Sequence, residues 1–82
     1  MDEEKYGKLV NISVLHNNLS FELKNTLPRL IKSKIENAEE IKKSLEEIIQ
    51  KLGKSYADIF SETDTDTKLT LFRAGFGLND FR

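Results

Sequence analysis

Leu30, Ile31, Ile35, Ala38, Ile41, Leu45, Ile48, Ile49 and Leu52 recur every three or four residues through the middle of the chain. That spacing lays one apolar stripe along a helix; a half-buried strand would need alternation. Thr26 stands where a cap is wanted, and Pro28 sits in the first turn, where its missing N–H is tolerated. Glu39 precedes Lys43 by four residues and Glu47 precedes Lys51 by four, the favourable order for helix pairs. Gly53, between Lys51 and Lys54, reads as a stop signal. The pattern predicts a helix over residues 27–52. Asn37 followed by Glu40 also reads as a second cap, which would divide the segment near Ser33–Asn37.

What covers this stripe depends on the stretch before it, VNISVLHNNLSFELK (10–24). With a period of two, Val10, Ile12 and Val14 point one way, and Leu19, Phe21 and Leu23 repeat the pattern after His16-Asn17-Asn18. Two alternating runs around an Asn-rich turn are a hairpin signature. With a helical period, Leu9, Ile12, His16, Leu19, Leu23 and Leu30 line up instead, with His16 in the seam. The helical reading puts β-branched residues and Asn11, Asn17, Asn18 and Asn25 where helix propensity is poor. The hairpin is therefore the expectation.

After Gly53, Ser55–Phe60 reads as one short helical turn and residues 61–67 as a polar loop. TKLTLF (67–72) alternates as a third strand, and RAGFGLNDFR (73–82) reads as an irregular aromatic tail. The expected organisation is a charged leader (1–8), one small domain (9–72) and the tail (73–82). The expected class is α+β: an N-terminal hairpin and a short third strand covered by one long amphipathic helix. The alternative is an all-α bundle of two or three helices.

A chain of 82 residues is one domain with marginal burial. With no cysteine and one histidine, neither a disulfide nor a thiolate or His-based zinc site is expected to stabilise it, so a homodimer is the expected support. No metal and no cofactor is expected. Net charge is −1, whereas nucleic-acid binders usually carry a basic excess. The acidic MDEEKYGK start has no apolar core, and no apolar run approaches a membrane span. A cytoplasmic location without membrane association is the expectation.

Chemistry-bearing motifs are weak. Glu62, Asp64 and Asp66 alternate as calcium ligands can, but a loop begun at Asp64 puts Lys68, Leu69 and Gly75 where a ligand, a glycine and a carboxylate belong. His16 lies near Ser13 and Ser20 in sequence, with nothing to fix a catalytic geometry. SFELKNTLP resembles the phospho-acceptor box of sensor histidine kinases, with Phe21 where the reactive histidine would stand. Asn11-Ile12-Ser13 and Asn18-Leu19-Ser20 match the glycosylation sequon, and Gly75-Phe76-Gly77 is a lone GxG. Lys24, Arg29, Lys32 and Lys34 cluster, but interleaved glutamates cancel much of their field.

Five of the seven aromatics, Tyr56, Phe60, Phe72, Phe76 and Phe81, follow Gly53. Phe72, Phe76, Leu78 and Phe81 with Arg73 have the composition of a protein-docking patch. The function expected is a small non-enzymatic adaptor, inhibitor or regulatory subunit that binds another protein. The alternative comes from residues 9–52, where LVNISVL followed by two helical segments resembles a ribbon-helix-helix repressor. That resemblance implies a dimer with a strand ribbon in the DNA major groove, read by Asn11 and Ser13 and supported by Lys32 and Lys34.

Overall fold

A single aspartate side chain starts the first helix. In the computed structural model, which describes residues 1–76, Asp2 accepts from the Lys5 N–H at 3.1 Å, and Glu3 and Glu4 follow in the first turn. Both features stabilise a helix N-terminus. Helix α1 runs over Glu3–Asn25, α2 over Leu27–Lys32, α3 over Ala38–Ser61 and α4 over Thr65–Arg73. No strand occurs among the described residues. The α+β expectation is therefore overturned, and the all-helical alternative holds.

The hairpin expected at 10–24 lies inside α1. Its residues are helical because one line of the helix is pressed onto α3. Leu9, Ser13 and His16, one per turn, are the buried members of that line. Apolar residues flank the line on both sides, so they form no single stripe and mimic alternation. Asn11, Asn17, Asn18 and Asn25 are all exposed, where each costs at most about 0.7 kcal/mol of helix propensity.

Thr26 does not cap. It is right-handed helical (φ −86°, ψ −42°) and makes no side-chain capping bond. The helix ladder is interrupted there because Pro28 has no N–H to continue that of α1. The break near Ser33–Asn37 is real, but left-handed residues make it. Lys34 has φ 58°, with its N–H donating to the Ile31 carbonyl at 3.0 Å and the Ile35 N–H donating to the Leu30 carbonyl at 3.1 Å. These two bonds are a Schellman closure with lysine in the usual glycine place. Asn37 (φ 68°) then turns the chain into α3 without a side-chain capping bond.

Helix α3 does not stop at Gly53. A mid-helix glycine costs about 1 kcal/mol relative to alanine. Continuing the helix buries Tyr56 completely, and burial of a large side chain outweighs that cost. The third strand expected at 67–72 is α4 instead. Asp64 is its cap, with Oδ2 accepting the Thr67 N–H at 3.0 Å.

α1 and α3 are antiparallel neighbours, and α4 folds back on the start of α1. Leu9, Tyr56 and Leu71, all fully buried, form the core, with Tyr6, Val10, Ile12, Ile59, Phe60 and Phe76 packed around it. Tyr56 and Phe60 stack at 5.7 Å, and the Lys68 Nζ lies 5.1 Å from the Phe60 ring centre. Tyr56 donates its hydroxyl to the Phe76 carbonyl. α4 closes with Gly75 at φ 85° and the Phe76 N–H donating to the Leu71 carbonyl at 2.8 Å. A polar clasp joins the three helix ends. The Asp2 N–H donates to Thr67 Oγ1 at 2.9 Å, Thr67 Oγ1 donates to Asp64 Oδ1 at 2.6 Å, and Lys5 Nζ donates to the Glu62 carbonyl at 2.9 Å. At the far end of the hairpin, Leu27 and Ala38 are buried.

Replacing the fully buried Thr67 by valine keeps the shape and leaves the Asp2 N–H without its acceptor. The expected loss is about 1–3 kcal/mol, measured by denaturant unfolding. Hydrogen bonds from the Thr67 hydroxyl and the Thr67 N–H hold the Asp64 carboxyl below the usual aspartate range. A depressed folded value means the contribution is fully present above the ordinary aspartate pKa of about 3.9 and is lost as pH falls through the lower folded value. Acid titration followed by circular dichroism should show this loss in the wild type, and Asp64→Asn should remove that component.

Candidate interaction surface

Two helices in contact have one seam between them, and each keeps two flanks. In an antiparallel pair, the positions that precede the seam by about 60–80° on each helix lie on the same side of the molecule. For α1 that flank holds Ile12 and Leu19, with Leu15 farther round, about 120° from Leu9; for α3 it holds Ile41, Ile48 and Leu52. Leu15, Ile41 and Ile48 are 46%, 41% and 43% exposed, and the other three are half-buried. Leu9 packs with Tyr56, so Leu15 lies level with Gln50 and the two aliphatic rows run side by side.

The opposite flank differs. Its upper half is packed by α4, through Tyr6 and Val10 of α1 and the Lys68–Phe60 contact. Its lower half pairs the exposed Val14 and Phe21 with Glu46 and Gln50, so it is not apolar across both helices.

The molecule is correspondingly thin. Its extents are 48 × 19 × 19 Å, and its radius of gyration of 15.0 Å exceeds the ~12 Å of a compact chain this long. Its accessible surface of 5946 Å² exceeds by about 900 Å² the ~5000 Å² expected for a compact monomer of 9.5 kDa.

The expected docking residues are divided. Phe72 is 65% exposed on α4 beside the exposed Leu69 and Arg73. Phe76 is half-buried against the core and does not join them. Leu78 and Phe81 lie outside the described residues. The ribbon implied by the repressor resemblance has no strand to form it. Asn11 is exposed on α1, whereas Ser13 is fully buried in the seam, out of reach of a base. Lys32 lines an open cavity of about 430 Å³ at the hairpin end, floored by Leu23, Leu27, Pro28 and Ile31 and rimmed also by Lys24 and Lys42. Lys34 lines a separate shallow cavity with Ile35 and Glu39.

His16 and Ser13 share the seam of α1, and Ser20 lies one turn beyond, half-buried. Among the described residues, no group of three or more His, Cys, Asp or Glu side chains could hold a metal ion. No described helix is long and apolar enough to cross a membrane. Sequence reasoning did not single out Leu15 and placed Ile41 and Ile48 in the apolar stripe of the long helix. The signal was the spacing of Ile12, Leu15 and Leu19, which is a helical a–d–a pattern.

Ser13 is fully buried and its Oγ makes no hydrogen bond. Ser13→Ala removes an unpaired buried hydroxyl and raises helix propensity, so it should stabilise the fold by about 1 kcal/mol in thermal or urea unfolding. An unchanged or lowered stability would show the hydroxyl to be satisfied in solution. Compared with protein-family models, with curated proteins and with solved structures, the chain shows no significant match to any of them.

Proposed function

We propose that this chain is a protein-binding module, an adaptor, inhibitor or regulatory subunit that acts by presenting helical surfaces to other chains and performs no chemistry itself. The observation that carries the reading is the aliphatic flank of α1 and α3, where Leu15, Ile41 and Ile48 stand exposed. Exposed apolar rows of this length on a small chain mark interaction surfaces. The α4 ridge of Leu69, Phe72 and Arg73 supplies a second, smaller surface with an aromatic and an arginine, the residues most enriched at binding hot spots.

Affinity capture with the tagged chain, with and without nuclease, tests the reading. A protein retained by the wild type and lost with Leu15→Lys or Phe72→Ala supports it. Retention of nothing but nucleic acid would overturn it.

Phe72 and Phe76 should behave oppositely. Phe72→Ala removes an exposed ring, so stability should stay within about 0.5 kcal/mol while partner affinity falls by about 2 kcal/mol. Phe76→Ala removes a ring packed on the core and should cost about 2 kcal/mol of stability, since it is only half-buried. Calorimetric unfolding and titration against the captured partner separate the two effects.

A further inference from the structure

The same flank carries a more specific reading, which rests on the protein-binding function proposed above. We infer that its partner is a second copy of this chain, packed flank to flank and head to tail into an antiparallel four-helix bundle. The twofold axis passes level with Leu15 and Gln50, so that α1 lies on its symmetry mate and α3 on its own.

Three observations select this occupant. The first is area. The surplus of about 900 Å² over a compact monomer is close to the ~800 Å² that each partner loses in a stable complex. The second is register. With the axis at Leu15, the two Leu15 side chains meet each other, and Ile12 of one copy falls between Leu15 and Leu19 of the second. On α3 the same axis, level with Gln50, sets Ile48 against Leu52 of the second copy. An interface made of one patch meeting itself requires this kind of self-complementarity. The third is charge. Lys8 and Glu22 lie on this flank at equal distances either side of Leu15, so head-to-tail packing places each lysine opposite the glutamate of the other copy. Among the described residues Lys8 is held by an exposed contact to Glu4 at 3.2 Å, which it can exchange.

The ends agree with that orientation. The half of the hairpin that holds the α2 turn, residues 18–46, carries six basic and five acidic residues. The half that holds α4, residues 1–17 and 47–76, carries six basic and eight acidic residues. Head-to-tail packing sets the acidic half of one copy beside the slightly basic half of the other.

Analytical ultracentrifugation of the full chain, from low to high micromolar concentration, tests the inference. The expected mass is twice the 9.5 kDa of the chain, dissociating on dilution. Leu15→Lys and Ile48→Lys should give monomers with unchanged helical circular dichroism. Because the chain has no cysteine, Leu15→Cys introduces a single thiol at the axis. It should form a covalent dimer under mild oxidation, while Phe72→Cys should not. Lys8→Glu should weaken the dimer about tenfold, and Lys8→Glu with Glu22→Lys should restore it.

A monomer at high micromolar concentration overturns the inference, as does a dimer that survives Leu15→Lys. A dimer in which Leu15→Cys fails to cross-link overturns the head-to-tail register. Failure here is separable from failure of the broader reading. A monomer that still captures another protein through Leu15 leaves the protein-binding function standing. A monomer that captures nothing removes both.

Discussion

Everything in this structure follows from the fact that α1 and α3 meet along one seam with no complete third layer over them among the described residues. A pair of helices can bury one line of residues on each, and here that line is Leu9, Ser13 and His16 on α1, with Ala38 and Tyr56 on α3. α4 adds a partial third layer at one end only, through Leu71. Val10, Ile12 and Ile59 pack against this core, whereas Leu15, Ile41 and Ile48 stay exposed. Small domains of this kind have little apolar burial to set against the entropy of ordering the chain. The geometry that leaves the flank open therefore also leaves the lone hairpin with little burial of its own.

The clasp at the α4 end is the compensating device. Thr67 accepts from the start of α1 and donates to the cap of its own helix, while Lys5 holds the last turn of α3. Three helix ends that would otherwise fray are tied together by side chains. The opposite end has no such network. It turns through Lys34 and Asn37, both left-handed, with Leu27 and Ala38 buried there. For a non-glycine residue a left-handed conformation costs roughly 1–2 kcal/mol, least for asparagine. The two ends of the hairpin thus differ in how firmly they are held.

The central stripe was legible because α3 has one buried side, which gives a clean helical period. The seam at His16 was also legible in the helical reading of α1. The choice of strands over helix for 10–24 failed because α1 serves α3, α4 and an open flank at once. Its apolar residues surround it, and no stripe stands out. Gly53 misled for a different reason: local propensity lost to the tertiary burial of Tyr56. The caps were partly legible. Asp64-Thr65-Asp66-Thr67 carries a capping aspartate three residues before the threonine that bonds it, and Ala74-Gly75-Phe76 carries a glycine closure with an apolar residue after it. Both fell in stretches read as loop, strand and tail. Of the residues grouped as a docking patch, Phe72 and Arg73 are exposed, while Phe76 packs against the core. Spacing alone does not separate Phe72, in the last turn of α4, from Phe76, just past its glycine closure.

The seam also bears on how this chain tolerates change. Only Leu9, Leu27, Ala38, Tyr56 and Leu71 are buried apolar side chains among the described residues. Most random substitutions therefore fall where the lone hairpin barely registers them. The exposed rows are different, because Leu15, Ile41 and Ile48 could be made polar with little harm to the helices that display them. If those positions remain aliphatic across natural variants, selection is holding an encounter between molecules rather than the shape of one. In a chain this thin, the pattern of permitted variation would record the partner more clearly than the fold.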